Sequence, residues 1–463
     1  MVDITPKAGT HLSGSGMGQH RPAESVLDPL YARAAVFESG ERKVCILALD
    51  LCMVTAEWTS RLRKAVAERM GFEPDAVMVH AIQSHSAPSC GTFMLDPDFP
   101  LETTPETEYL TGTEAAYAEP TLERAIEAVE KAHAALEPVR VGAASGVTDK
   151  FAFNRRGVTR DGSVCMPWPV GRRQQPLGPT NLRYMEGPVD PEVGVFCART
   201  DDMRIVAMLL HHTCHPVNLF ATRSSYHAVS PDWPGVWAAA MQAAYGQGCA
   251  PLVLNGCCGN INPWDPFEPD FVPDHRRMGC GVAELALKAV PSIKFTDACA
   301  VDWRVRRVPL EYREVPPERL AEVERILAEN PQPKWREDAP GEIDTQWYHA
   351  ASTRSIEHCR RRMPEFLYEV QAIRVGDAAF VGLPGEPFVE GQLALKVRSP
   401  AATTFVAHCT SQYVGYVPAR DAYARGGHEA NALCTYWAKL APGALETVVD
   451  NAVELLHEMF PNQ

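Results

Sequence analysis

Six short apolar runs constrain the fold of this 463-residue chain more than any other feature of its sequence. Each run has the length of a β-strand, and a cluster of polar residues follows it at once. The runs cover residues 44–49, 76–79, 205–210, 251–254, 378–383 and 403–408. Continuous apolar runs are typical of strands buried on both faces, and open α/β sheets bind ligands beyond the carboxyl ends of such strands. The sequence therefore predicts that the six polar clusters form one shared site.

Helical patterns lie between several of these runs. Residues 56–70 and 121–136 carry apolar side chains at near-helical spacing, so both segments are predicted helices. The strand, helix, strand order from 44 to 82 indicates parallel pairing, whereas Gly376-Asp377 between two apolar runs indicates a tight hairpin. We therefore predict an α/β fold with mixed β-sheets and flanking helices.

The composition changes at about residues 311–365, where charged helical patterns are flanked by prolines. This segment is interpreted as a helical insertion or cap that has no core of its own. We therefore expect residues 1–463 to form a single domain that carries this insertion.

Composition and charge exclude several classes of protein. With 46% hydrophobic and 22% charged residues, the chain is neither disordered nor fibrous. Its 44 basic and 58 acidic residues give a net charge of −14, which argues against nucleic acid or an anionic membrane as its main partner. The N-terminal residues lack the basic start and apolar middle of a signal peptide, so we expect a cytoplasmic protein whose cysteines are reduced thiols. The expected partner is a small-molecule substrate, and the oligomeric state stays open.

The motifs of several common enzyme classes are absent from the sequence. It contains no HExxH, CxxC, GxSxG or GxxxxGK[ST] string. Gly14, Gly16 and Gly18 follow no strand and do not complete a dinucleotide-binding pattern, so a close turn is the better interpretation.

Three polar strings at strand ends are candidates for chemistry. His211, His212 and His215 lie within five residues, and imidazole is a common metal ligand, although clustered histidines also serve as buried hydrogen-bonding residues. The string 83–88, QSHSAP, fits either a site or a turn whose serines bond the backbone. Glu386 lies between two prolines, where a rigid carboxylate suits metal ligation or general-base catalysis.

Together these strings resemble the catalytic domain of the neutral, non-lysosomal ceramidases, and most closely the short bacterial relatives of unassigned activity. The resemblance extends over nearly the whole chain and depends on the number and order of its motifs. These motifs lie at residues 3–6, 28–33, 49–51, 83–88, 154–156, 190–194, 214–216, 230–235, 255–263, 384–386 and 415–418.

The resemblance implies a Zn²⁺ site and a serine nucleophile beside it. It places one histidine ligand at His215, the glutamate ligand at Glu386, and the tyrosine ligand at Tyr413, or at Tyr416 if the motif is shifted. The second histidine ligand is replaced by Gln83, and the nucleophile is replaced by Asn262.

Both departures change the expected chemistry. Glutamine is a poorer zinc ligand than imidazole, so the site is weakened, rebuilt around His80 or His85, or used for something other than zinc. Asparagine forms no acyl intermediate, so we expect direct attack by water and do not expect ceramide to be the substrate.

The expected function is that of a cytoplasmic, metal-dependent hydrolase that cleaves an amide or ester bond in a small polar substrate. In this hypothesis His85 or Asp232 takes the proton from water, and Asn262 donates to the developing oxyanion. The candidate substrate-binding residues are Arg155, Arg156, Gln83 and Asn260. Both arginines suit a carboxylate or phosphate, and surface ion pairing is their alternative role. Two rival functions remain, an enzyme for a sugar derivative on the same scaffold and a degenerate, non-catalytic binding protein.

Overall fold

Three four-stranded β-sheets of the same topology form the framework of the molecule. A computed structural model describes residues 1–16, 18–167, 182–268, 270–297 and 299–461. In each sheet the first strand pairs antiparallel with the second, and the second pairs antiparallel with the third. The fourth strand pairs parallel with the third, because a helix connects the two. A longer helix then follows the fourth strand.

The three units follow one another along the chain. The first comprises β1 (Val2–Asp3), β2 (Tyr31–Ser39), β3 (Arg42–Leu49), α1 (Ala56–Met70), β4 (Val77–Ala81) and α2 (Ala115–Ala134). The second comprises β5 (Arg140–Val147), β6 (Glu192–Arg199), β7 (Ile205–His212), α3 (Asp232–Tyr245), β8 (Ala250–Asn255) and α4 (His275–Ala289). The third comprises β9 (Val301–Leu310), α5 (Pro317–Glu329), α6 (Thr345–Arg362), β10 (Phe366–Val375), β11 (Ala378–Gly382), α7 (Val389–Arg398), β12 (Thr403–Ala407) and α8 (Ala444–Met459).

Short elements occupy the connections. The short strands are Ser25–Val26, Phe153–Asn154, Gly157–Thr159, Val164–Cys165, Leu182–Met185, Ala228–Val229, Ile261–Asn262, Glu386–Pro387 and Tyr416–Val417. A one-turn helix covers Ala422–Arg425, and 3₁₀ turns cover Pro74–Ala76, Glu108–Thr111, Arg223–Ser225, Val290–Ser292 and Tyr436–Ala438.

The sheets are buried on both faces, which explains their continuous apolar sequences. One face of each sheet packs into a common central core, to which Ile46, Leu209 and Phe380 each contribute from a different sheet. The other face is covered by the two helices of its own unit. Successive side chains of a strand point to opposite faces, so Ile46 enters the central core and its neighbour Leu47 packs under α1 and α2.

The predicted elements agree with this architecture. All six apolar runs are strands, the pairing is mixed, and residues 376–377 form the predicted hairpin turn. The first predicted helix has its predicted bounds because Thr55 caps its first turn and Gly71 ends it in the left-handed conformation. The second predicted helix begins at Ala115, six residues earlier than expected, and Pro120 lies inside it.

The segment 311–365 contains α5 and α6 and lies between the first and second strands of the third sheet. The long connections of the first two sheets, 4–30 and 148–191, occupy the same place in their units. The division of the chain into one domain with an insertion stays a prediction. All fourteen cysteines are free thiols. No helix in the described part of the chain is long and apolar enough to cross a membrane.

Candidate active site

The carboxyl ends of the central strands bring polar residues from all three units together. Gln83 and His85 follow β4, His215 follows β7, and Glu386 follows β11. The sheets are tied to each other here, since the His408 amide after β12 donates to the Asn255 carbonyl at the end of β8. The prediction that His85, His215 and Glu386 share one region agrees with this geometry.

His215 and Glu386 form the centre of the site. His215 Nε2 lies 3.2 Å from Glu386 Oε2, and both side chains are buried. His215 Nδ1 lies 3.0 Å from the carbonyl oxygen of Ile261, so Nδ1 carries the ring proton. Burial lowers the pKa of His215 well below its ordinary value and raises the pKa of Glu386. The His215 ring therefore donates from Nδ1 and presents Nε2 to the Glu386 carboxyl.

Gln83 is held between this pair and a second histidine. Its amide hydrogen-bonds to Glu386 on one side and lies 2.8 Å from His408 Nε2 on the other. The backbone of Gln83 has φ +67°, a left-handed conformation that is uncommon for residues other than glycine. Such strain persists where the surrounding structure fixes it and is found often at functional sites.

Arg155 and Asn262 form the second polar group of the site. Arg155 Nε donates to Glu429 Oε1 over 2.7 Å, and Arg155 Nη1 lies 3.4 Å from Asn262 Oδ1. The guanidinium lies 5.3 Å from the ring centroid of Tyr416 and hydrogen-bonds to the Tyr416 side chain. Among the described residues, neither Arg155 Nη2 nor Asn262 Nδ2 has a hydrogen-bond partner, although both atoms are buried. Two N–H donors are thus available for a ligand.

Arg156 differs from its neighbour because its donors are occupied. It pairs with Glu186 and donates from Nη1 to Glu429 Oε2 and from Nη2 to the carbonyl of Gly426. Burial opposes the charge on Glu429, but Arg155, His428 and Arg156 outweigh it and lower the Glu429 pKa to about 2. Arg156 is therefore a structural ion-pair residue that fixes Glu429, and through it Arg155.

Tyr416 is the tyrosine that contacts the central pair. It stands opposite Glu386 in a short parallel strand pair and hydrogen-bonds to its carboxyl. Tyr413 packs against Phe93 and Tyr436, with the Lys439 ammonium 4.9 Å from its ring. The structure thus favours the shifted alternative, Tyr416, as the tyrosine nearest to Glu386.

The side chains of two other candidate site residues, Asp232 and Asn260, form hydrogen bonds with groups outside the His215–Glu386 pair. Asp232 accepts from Asn218 Nδ2 and from the backbone amides of Leu219 and Trp233, at 2.7–3.0 Å. The side chain of Asn260 bonds to Glu390 and to a backbone amide, and only its carbonyl reaches the site, where it accepts from the Arg155 amide. The structure does not bring these two side chains to the His215–Glu386 pair.

Three nearby histidines make their contacts outside the His215–Glu386 pair. Both ring nitrogens of His80 bond to backbone atoms, the His408 carbonyl and the Asn255 amide. His211 stacks on Phe405, and His212 bonds to the Glu192 carbonyl. A zinc site rebuilt around His80 therefore has no free imidazole nitrogen to use.

His85 completes the site and is fixed from behind by Arg21. The His85 ring lies 5.8 Å from the His215 ring, and burial together with His215 lowers the pKa of His85 to about 3. Arg21 is fully buried and donates to the backbone carbonyls of Ser13, His85 and Tyr226. This guanidinium joins three loops of the site.

Arg21, Glu429 and His408 were not predicted from the sequence. The glycines at 14–18 were a weak signal for Arg21, because they bring the Ser13 backbone close to its guanidinium. Glu429 lies in no recognisable motif, and only a folded loop brings it to Arg155. His408 ends the apolar run 403–408, so its place at a strand end was available from the sequence, but its contact with Gln83 was not.

The expected zinc ligands assemble only in part. A catalytic zinc site takes about three protein ligands, usually histidine, carboxylate or cysteine. In the part of the chain that the structure describes, no three such side chains lie close enough to hold a metal. Since Gln83 uses its amide in hydrogen bonds, the residues present do not fit a three-ligand zinc site. Zinc binding stays a prediction, and no step below uses it.

Comparison with known proteins gives a clear structural result. No protein-family model and no curated protein matches the chain. A neutral ceramidase structure from Pseudomonas aeruginosa matches 99% of this chain and 73% of its own, with TM-score 0.69 and 16% identity. A structure described as a ceramidase complexed with C2 matches with TM-score 0.70 and 15% identity, over 99% of this chain and 74% of its own. The fold implied by the sequence motifs is confirmed, and the chain has the α/β fold of the neutral ceramidases.

Proposed function

We propose that this protein is a hydrolase that cleaves an amide or ester bond in a small polar molecule. The observation that carries the proposal is the buried His215–Glu386 pair, with two unpartnered N–H donors on Arg155 and Asn262 close by. Groups that can transfer a proton assist the attack of water on a carbonyl carbon, and free N–H donors stabilise the negative charge that develops on the carbonyl oxygen. The ceramidase fold of the structural neighbours supports the same reaction class.

The proposed mechanism uses the protein's own side chains. A neutral His85 takes a proton from the attacking water, and Asn262 Nδ2 donates to the carbonyl oxygen as negative charge develops there. Arg155 Nη1 lies 3.4 Å from Asn262 Oδ1 and holds the Asn262 amide in this orientation. The protonated Glu386 carboxyl, oriented by His215 and Gln83, donates its proton to the leaving amine or alcohol.

Ceramide is not the proposed substrate. The resemblance places a serine nucleophile at the position of Asn262, and an asparagine amide forms no acyl intermediate. The remaining polar groups suit a smaller and more polar substrate. We keep the cytoplasmic location as part of the proposal.

The test is an activity screen with the full-length protein. A panel of short N-acyl amino acids and short acyl esters is incubated with protein purified without chelators, and released acid is detected by NMR. A fluorescent short-chain ceramide and several sugar derivatives complete the panel. We expect turnover of a polar amide or ester and none of ceramide. Turnover of ceramide, or of sugar derivatives alone, would contradict the proposal.

A further inference from the structure

The two unpartnered donors of the site indicate what kind of group binds there. Arg155 is 6% exposed and Asn262 is 2% exposed, so water does not readily satisfy the free Nη2 and Nδ2 atoms. An unpartnered buried N–H is costly, and in native proteins it is usually satisfied by a ligand or an ordered water. The Nη1 to Oδ1 contact of 3.4 Å places the two side chains next to each other.

We propose that Arg155 and Asn262 form a carboxylate-binding site. Two free donors on side chains that contact each other, one of them cationic, suit the two oxygens of a carboxylate. This inference deepens the proposed function, because hydrolysis of an amide or ester leaves a carboxylate at the carbon that water attacks. The former carbonyl oxygen then lies at Asn262 and the oxygen from water at Arg155.

The surroundings favour a singly charged ligand over a phosphate ester. Arg155 already shares Glu429 with Arg156, and Glu386 lies close to its guanidinium. A dianion in this position would face these carboxyl groups without a further cation to offset them. Arg156 offers nothing more, because Glu186, Glu429 and the Gly426 carbonyl occupy its donors.

Calorimetric titration of the full-length protein tests this site without any need for activity. The probes are sodium acetate, neutral acetamide of the same shape, and sodium phosphate, at pH 7 and constant ionic strength. We expect acetate to bind at least about tenfold more tightly than acetamide and more tightly than phosphate. Equal affinity for acetate and acetamide, tighter binding of phosphate, or no binding of acetate would overturn the proposal.

Two variants with the same change in net charge test whether acetate binds at this site or responds only to the overall charge of the protein. Asn262→Asp puts a carboxylate against Arg155 and keeps the side-chain shape, so acetate affinity should fall by about tenfold or more. Arg325→Gln lowers the net charge by the same amount at an exposed position on α5 and should keep wild-type affinity. Circular dichroism checks that both variants fold. Unchanged acetate affinity in a folded Asn262→Asp protein would refute the assignment.

The carboxylate site and the hydrolase function can be refuted independently of each other. If acetate binds as expected but no amide or ester is turned over, the hydrolase proposal fails and the carboxylate site stands. If hydrolysis is found but acetate neither binds nor inhibits it, the carboxylate site fails and the hydrolase proposal stands.

Discussion

Arg21 shows how a single buried side chain holds the loops of the site together. Its guanidinium donates only to backbone carbonyls, on Ser13, His85 and Tyr226, and lies 4.4 Å from the Tyr226 ring centroid. Without carboxylate partners and with full burial, its pKa is lowered to about 10. The cost of burying this charge is offset by hydrogen bonds that no smaller side chain reproduces.

Arg21→Met should therefore destabilise the protein strongly. It leaves three buried carbonyls without their donor, at about 1–3 kcal/mol each, so we expect a loss of roughly 3 kcal/mol or more in the free energy of unfolding. Urea denaturation measures this loss, and Arg325→Met, on the exposed face of α5, is the matched control with an expected effect below about 0.5 kcal/mol. Similar midpoints for the two variants would contradict the role given to Arg21.

The Glu429 carboxylate makes the stability of the protein depend on acid pH. Its pKa is lowered in the folded protein to about 2, against an ordinary value of about 4.5, because Arg155, His428 and Arg156 outweigh its burial. A carboxyl group whose pKa is lowered by folding stabilises the fold at pH values above its pKa in the unfolded chain. This contribution is lost as the pH falls from about 5 to about 2. Glu429→Gln should be less stable than wild type at pH 7, and the difference should shrink over that range. Thermal unfolding at several pH values measures it, and a constant difference would contradict the assignment.

Gln83 stands at the position of one expected histidine ligand, so the expected zinc site lacks that imidazole. Gln83→His adds an imidazole beside His215 and Glu386, and histidine tolerates the left-handed backbone at this position better than most residues. We expect zinc affinity to rise by about tenfold or more over wild type, measured by competition with a chromogenic chelator. Gln332→His, in the loop after α5 where Gln332 bonds to the backbone of Pro100 and Glu102, serves as the control. No gain in Gln83→His would mean that the His215–Glu386 pair does not present a metal-binding geometry.

At the scale of elements, one strand and helix order recurs three times. The third and fourth strands of the three sheets supply six strand ends, which explains why six polar clusters follow six apolar runs. Five of these clusters supply residues to the site, whereas Asp50, which follows β3, pairs with Arg33 instead. The strands were predictable because burial on both faces requires continuous apolar residues. The threefold repetition was not, since the three units share a pairing pattern without recurring sequence motifs.

The central core should be the most sensitive part of this arrangement. Ile46 is fully buried where the three sheets meet, so Ile46→Ala should cost about 2–5 kcal/mol of unfolding free energy. Val397, on α7, is 86% exposed, and Val397→Ala should change stability by less than about 0.5 kcal/mol. Chemical denaturation compares the two. An Ile46→Ala effect as small as the control would contradict the common core.

For the molecule as a whole, the sequence predicted which strand ends meet. It did not predict which of the side chains there are free to contact a ligand and which are occupied by hydrogen bonds. His215, Glu386, Gln83 and Asn262 follow strands, so the sheet topology places them. Arg155 and Arg156 looked equivalent in sequence, and both pair with Glu429, but Glu186 pairs with Arg156 and so distinguishes them. Asp232 looked like a proton acceptor, yet the amides at the start of α3 and in the 218–219 loop occupy it.

The central claim is that Glu386, oriented by His215, is the general acid in the hydrolysis of an amide or ester. Its most direct test compares wild type with Glu386→Gln on the polar amides and esters of the panel. Glu390→Gln, at a half-buried glutamate outside the pair, is the matched control. We predict turnover by wild type and by Glu390→Gln, and a fall in kcat/KM of about 100-fold or more in Glu386→Gln. Wild-type protein without turnover of any amide or ester, or a folded Glu386→Gln protein with full activity, would contradict the account.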